Sequence, residues 1–133
     1  TFKVCAGLPC NAPTAVVAAG NRVAGAPRGT LFTALSWQGG AWGDWALEAR
    51  GVGRTAVNDR NTDAAAGYAV AALRASRSWA LMSGLDLEVL ARVDNLFDRH
   101  HAGSLIVNDA NGRFFEPGAP RQGLLALRLV ARM

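Results

Sequence analysis

Apolar and polar side chains alternate with a period of two along much of this chain. Leu85, Leu87, Val89, Ala91 and Val93 are apolar, and Asp86, Glu88 and Arg92 stand between them, with Leu90 the one exception. A helical reading would group Leu87, Leu90 and Ala91 with Asp94 and put a charge on the apolar stripe, so the period predicts a strand. Trp45, Leu47 and Ala49 alternate with Ala46, Glu48 and Arg50. Leu125, Leu127, Leu129, Ala131 and Met133 alternate with Ala126, Arg128, Val130 and Arg132. Leu31, Thr33, Leu35 and Trp37 interleave less cleanly with Phe32, Ala34, Ser36 and Gln38. Gly67 to Ser78 is alanine-rich, which favours helix. Yet Ala69, Ala71, Leu73 and Ala75 share one frame, with Arg74 and Ser76 in the other. Five strands result, at about residues 30–38, 44–56, 67–78, 84–98 and 121–133. The predicted fold class is all-β, an antiparallel up-and-down meander of these five strands with neighbours paired in sequence order.

The connections alternate in length. Gln38 to Asp44 and Ser78 to Gly84 are short; Val57 to Ala66 and Arg99 to Pro120 are longer and rich in Asn, Asp, Gly and Pro, as is the segment 5–29. Short turns on one side and long loops on the other are the pattern of outer-membrane barrels. Trp37, Trp42, Trp45 and Trp79 all flank the two short turns. That clustering fits an aromatic girdle at a membrane interface, where an amphipathic ring sits between lipid and water; ordinary packing at hairpin ends is the alternative. One frame collects Glu48, Arg50, Arg54, Arg74, Asp86, Glu88, Arg92, Asp94, Arg128 and Arg132. The other is mostly Leu, Val and Ala, without the large interlocking aromatics expected of a sandwich core. Leu85, Leu87, Val89, Leu125, Leu127 and Leu129 are expected on the outer, lipid-side surface, and Glu88, Arg92, Arg128 and Arg132 on the opposite one. Closed membrane barrels need about eight strands or more, so five strands are expected to form part of a transmembrane barrel that does not close by itself.

Composition narrows the classes further. Half of the residues are hydrophobic, but 26 are Ala and 15 are Gly, and only 18% are charged. Disorder requires lower hydrophobicity and higher net charge, and a long coiled coil requires more Glu and Lys. No apolar run reaches the length of a transmembrane helix. The chain starts at Thr1 without a charged-then-apolar leader, and is expected to be a processed product or a piece of something longer. The net charge of +4 rests on 13 Arg and one Lys against 10 acids. The arginines are scattered and often sit near acids, which reads as solvated or paired surface charge and not as nucleic-acid binding. Cys5 and Cys10 read as a small disulfide-closed loop of an oxidising compartment, with two free thiols as the alternative.

No catalytic constellation stands out, and no enzyme activity or cofactor is expected. Ser104, Asp109 and His101 share polar loop sequence without the order or context of a triad. Gly51-Val-Gly53 lacks the strand-to-helix setting of a phosphate loop. His100 and His101 read as a solvated pair, with no second ligand pair to make a metal site.

The segment Arg92-Val-Asp-Asn-Leu-Phe-Asp-Arg-His-His, continuing to Arg121, resembles the C-terminal end of TonB-dependent outer-membrane receptors, and Asn95-Leu96-Phe97-Asp98-Arg99 resembles the penultimate-strand signature of that family. Gly20-Asn-Arg-Val-Ala-Gly-Ala-Pro-Arg28 is similar to a loop leading into an earlier barrel strand, and Asn58-Asp-Arg-Asn-Thr62 followed by Gly67-Tyr68 to the loop-and-strand unit between. The blocks come in the family's order, so the resemblance covers nearly the whole chain. Two positions depart from it: Met133 stands where such barrels end in an aromatic, and His101 where Tyr is common.

The resemblance implies a C-terminal piece, residues 1–133, of a barrel of about 22 strands around a plug. No plug or TonB-contacting segment is recognisable here. It implies residence in the outer membrane of a Gram-negative bacterium, with outer-membrane lipid as a partner and the TonB complex reached only through the missing plug. The implied function is uptake of a ferric siderophore or similar large ligand. A soluble secreted β-domain that binds a partner or polysaccharide through its loops, and a nonfunctional receptor remnant, are the alternatives. An anionic ligand would call on cations and aromatic faces in the long loops: Asn58, Arg60 and Asn61 in one, and Arg113, Phe114 and Phe115 in another. The competing reading has these arginines solvated and Phe114 and Phe115 packing their own loop.

Overall fold

A computed structural model describes residues 1–5 and 15–131 of the chain. The strands in chain order are β1 (Phe2–Val4), β2 (Ala15–Val17), β3 (Thr30–Gln38), β4 (Asp44–Val52), β5 (Thr55–Ala56), β6 (Ala64–Ala65), β7 (Tyr68–Met82), β8 (Leu85–Asp94), β9 (Ala102–Leu105), β10 (Phe115–Pro117) and β11 (Gln122–Ala131). One 3-10 turn, Gly40–Trp42, is the sole helical segment among the described residues. The chain divides into two compact units. The first comprises Thr1–Thr30, Val52–Tyr68 and His101–Gly118; the second comprises Leu31–Gly51, Ala69–His100 and Ala119–Met133.

The second unit carries one five-stranded antiparallel sheet in the order β11-β8-β7-β4-β3, not closed into a barrel. It is the expected all-β meander: the long strands pair in sequence order. Register assigns the faces, because residues directly opposite one another share a side. Leu125, Leu127 and Leu129 stand opposite Ala91, Val89 and Leu87 of β8, and Ala75, Arg77 and Trp79 of β7 stand opposite those same three residues. On the other side Arg128 pairs with Glu88, and Leu124 with Arg92, which in turn faces Arg74. The leucine frame and the charged frame are therefore opposite faces of one sheet, as the alternation predicts. Arg132, assigned to the charged frame, lies outside the described residues.

Arg77 is the exception. It sits in the leucine frame, in line with Val89 and Leu127. Its guanidinium lies 4.8 Å from the ring centroid of Trp79, two residues nearer the tight turn. A cation over an indole face keeps its charge while its methylenes cover apolar surface.

The two tight turns are built on glycine. Between β3 and β4, Gly39 N–H donates to the Gly43 carbonyl at 2.8 Å. Gly43 has φ 79°, and a Cβ there would lie 2.5 Å from the Ser76 carbonyl oxygen. Trp37 and Trp45 stack across this hairpin at 5.6 Å and 8°, and Trp45 Nε1 donates to the Trp42 carbonyl at 2.9 Å. Between β7 and β8 the turn is only Ser83 and Gly84, shorter than the connection expected from Ser78 to Gly84. Trp79, Ala80, Leu81 and Met82 extend β7 instead. They are apolar, and β8 pairs with them through a register shift between Ala80 and Met82.

Strand 84–98 is also shorter than expected, ending at Asp94. Asn95 has φ 48°, which leaves the extended region. Its side chain accepts from Arg99 N–H at 2.8 Å and donates to the carbonyls of Arg99 and Ala119 at 3.0 and 3.1 Å. The expected strand 44–56 breaks after Val52, and its last residues form β5, which pairs with β6.

The first unit is made of three short antiparallel pairs, β1 with β2, β5 with β6 and β9 with β10. Period-two reasoning on long runs missed all three. Val17, Ala56, Val57 and Ala65 are its buried apolar residues. The His101 ring meets Tyr68 at 4.3 Å with the planes tilted by 34°, and a Cβ at Gly118 would collide with the His101 ring, so Gly118 leaves room for it. Cys5 is disulfide-bonded; Cys10 lies outside the described residues.

Candidate functional site

Five of the six residues singled out for ligand contact fall in the two longer loops of the first unit; Phe115, expected in a loop, instead opens β10, where it pairs with Leu105. Between β5 and β6, Asn58 starts a turn: its carbonyl accepts from Asn61 N–H at 3.0 Å. Its side chain accepts from Thr62 N–H at 3.0 Å and donates to Thr62 Oγ1 at 2.8 Å. Asn61 adopts φ 54°, a region that Asn tolerates better than most residues. Its side-chain oxygen accepts from Arg22 N–H at 2.7 Å, and its amide donates to the carbonyls of Arg22 and Asn58 at 2.9 and 3.0 Å.

The second loop joins β9 to β10. Ile106 N–H donates to the Phe114 carbonyl at 3.0 Å, and Asp109 accepts from Arg113 N–H at 2.7 Å. Asn108 ties this loop to the first: its N–H donates to the Val57 carbonyl at 2.9 Å. Its side chain accepts from Asp59 N–H and donates to the Asp59 carboxylate, both at 3.0 Å. Asn21 adds a bond from its amide to the Asp59 carbonyl at 2.8 Å. Asparagine side chains thus fasten three segments of chain that are distant in sequence.

The six candidates divide by what this network leaves them. The amides of Asn58 and Asn61 are committed within the loop, Asn58 to the backbone and hydroxyl of Thr62 and Asn61 to the backbone of Arg22 and Asn58. Arg60 and Arg113 are exposed, and neither guanidinium is in an ion pair among the described residues. Phe114 is half-buried and meets Phe115 edge-to-face at 6.2 Å and 75°, while Phe115 is 48% exposed. The loop thus offers a cation and an accessible ring. Ser104 donates its hydroxyl to Glu116 on the paired strand.

Sequence reasoning missed a second feature of this unit. A cleft of about 120 Å³ is lined by Arg22, Arg28, Arg54, Ala56, Asn61 and Ala64. Its three arginines are far apart in sequence, and no local pattern joins them. They meet because Arg28 N–H donates to the Arg54 carbonyl at 3.1 Å and Pro27 bridges to Thr55.

In the second unit the charged face holds its own pairs. Arg92 bonds Glu48 and Asp94, each at 2.9 Å, and Arg128 reaches Glu88 at 3.3 Å. Asp44, Arg74, Ser76, Glu88 and Arg128 line part of an open depression of about 540 Å³. No family model matches the chain.

Proposed function

We propose that this chain is a stretch of barrel wall and loops from an outer-membrane, TonB-dependent transporter that takes up a ferric siderophore or a similar large ligand. The observation that carries the reading is the pair of faces of the five-stranded sheet. One presents exposed Leu31, Leu35, Leu125, Leu127 and Leu129; the other presents the ion pairs of Arg92 and Arg128. Strands of 9 to 15 residues reach the ~9–11 residues that a tilted transmembrane strand requires. An apolar face turned to lipid and a charged face turned to a wet lumen give every side chain a suitable solvent. The unpaired edges of β3 and β11 would be closed by further strands, since open edges in lipid cost several kcal/mol per unsatisfied group. The sequence blocks around Asn95-Leu96-Phe97 and Asn58–Thr62 support the more specific family assignment. Loop residues Arg60, Arg113 and Phe114, with Phe115 at the start of β10, would meet the ligand, and Asn58 and Asn61 would hold the first loop in shape.

Fractionation of cells producing the native protein tests the reading. Recovery in the outer-membrane fraction, with release only by detergent, is expected. A monodisperse soluble species that keeps its β spectrum without detergent would overturn it. Ligand uptake by the complete receptor should fall with Arg113→Ala or Phe114→Ala. Unchanged affinity in both, with normal membrane insertion, would leave the loops as structure alone.

A further inference from the structure

We infer that the cleft between Arg22, Arg28 and Arg54 in the first unit is a binding site for a compact oxyanion of the phosphate class. Three guanidinium-bearing residues line one space of about 120 Å³, and no carboxylate lines it. None of the three is in an ion pair among the described residues, where the pairs belong to Arg92 and Arg128. Every other lining residue is a small alanine or Asn61. Like charges brought to one space repel, and a multivalent anion converts that repulsion into attraction. Guanidinium groups suit phosphate because their donors form a planar fork that meets two oxygens at once.

The cleft is also fixed in advance of any ligand. The Arg22 backbone is held at both its N–H and its carbonyl by the side chain of Asn61, at 2.7 and 2.9 Å. The Arg28 and Arg54 backbones are bonded to each other, and Gly53 N–H donates to the Gly29 carbonyl at 2.8 Å beside them. Only the three side chains remain to be ordered on binding, which lowers the entropy lost. Asn61 thereby acts as a positioning residue: its amide is used by Arg22 and Asn58, and it fixes the backbone that carries the first cation. The small volume favours a single phosphate or pyrophosphate group over a bulky ligand. Either a free solute or the headgroup of an anionic lipid supplies that chemistry. The inference does not depend on the transport reading, because it rests on the three arginines of the cleft and not on the apolar face of the sheet.

The experiment is calorimetric titration of the full chain with inorganic pyrophosphate at constant ionic strength, in detergent if the chain requires it. A parallel titration uses phosphatidylcholine vesicles with and without phosphatidic acid. Saturable binding is expected. Arg28→Gln and Arg54→Gln should each weaken it about 10- to 100-fold, the range for loss of a charge-assisted bond. Arg50→Gln removes the same charge from the other unit and should leave the affinity within about twofold, as expected of a substitution that touches no bonded group. Tighter binding of pyrophosphate than of the acidic vesicles identifies a solute, and the reverse identifies a lipid headgroup. Absence of saturable binding to both overturns the site, as does equal weakening by all three substitutions. If a cleft variant loses its strand spectrum, arginine Nε–H resonances of the unaltered chain supply the answer. The signals of Arg22, Arg28 and Arg54 should move on titration, and a uniform shift of all arginines would refute the site.

Discussion

The two units bury different things. The apolar residues buried among those described, Val17, Ala56, Val57 and Ala65, all belong to the first unit. In the second, the buried positions are Gly43 and Asn95, and leucines along β3 and β11 stand more than half exposed. The first unit thus has a small core of the ordinary kind, reinforced by asparagine bonds to backbone. The second has a five-stranded ladder and, among the described residues, no buried apolar side chain. An exposed apolar face of this extent is unusual in water and marks an interaction or membrane surface. The comparison teaches that strand pairing and apolar burial can be separated within one chain; on the proposed reading, lipid would supply to the second unit what packing supplies in the first.

The sharpest way to break the comparison is to put charge on each face of the sheet. In the complete barrel folded in a bilayer, Leu127→Arg should lower the unfolding free energy by ~2–4 kcal/mol if the site lies at mid-membrane depth. Leu124→Arg, on the face shared with Arg92, should change it by less than about 0.5 kcal/mol. Urea titration of both variants makes the check, and equal losses would mean that the two faces meet the same solvent. Arg77 sharpens this test, because it shows how the leucine face tolerates a cation: by resting it on Trp79.

Next in size is Asn95, the one buried polar side chain among the described residues of the second unit. Asn95→Ala deletes three bonds to backbone and leaves an alanine at φ 48°. A loss of about 2–3 kcal/mol is expected from unsatisfied buried groups alone. Asn95→Gly should recover only the conformational part, so a glycine variant of native stability would show that the bonds contribute nothing.

Much of this was legible in the sequence, for reasons that vary by region. β3 matched its expected limits, and the pairing order of the long strands followed from alternation and from alternating loop lengths. Alternation is visible because one face of the sheet is apolar over many residues. The ends of β7 and β8 were not visible, because apolar Trp79 to Met82 look like either turn flank or strand, and because the left-handed backbone at Asn95 leaves no periodic trace. The short pairs of the first unit are too brief to show a period. Arg60 and Arg113 were legible as loop cations from their place in the two longer connections, and both are exposed. The cleft of Arg22, Arg28 and Arg54 was hidden because pairing between distant segments, and no spacing, brings them together.

In the first unit, Val57→Ala removes two methyl groups from a residue with no exposed surface. About 2 kcal/mol should be lost. The measurement is hydrogen exchange at amides of β5 and β6, which should speed up while those of β8 stay slow. Faster exchange throughout would indicate that the two units unfold together.

The smallest effect belongs to the charged face. Glu48→Gln leaves Arg92 with Asp94 and should cost about 0.2–1 kcal/mol, since both members of the Glu48 pair are partly open to solvent. The difference between Glu48→Gln and the unaltered chain should shrink as salt is raised. A loss above about 2 kcal/mol would mean that this face is dry.

The alternation of short and long connections also sets a timetable. The β7–β8 hairpin closes through Ser83 and Gly84 alone, so its strands meet at the cost of ordering almost no chain. Such hairpins form in about 1–10 μs. Pairing β8 with β11 must first close the whole stretch from Asn95 to Arg121, and pairing β4 with β7 the stretch from Gly53 to Gly67. Loop closure becomes dearer with length, though slowly, and non-local pairing is the slow part of folding. The sheet is therefore expected to assemble as two preformed hairpins, β3–β4 and β7–β8, that find each other before β11 joins. Until β11 arrives, the free edge of β8 displays a strand-length row of unpaired backbone groups, which is the interval in which a growing sheet is most open to pairing with the wrong neighbour.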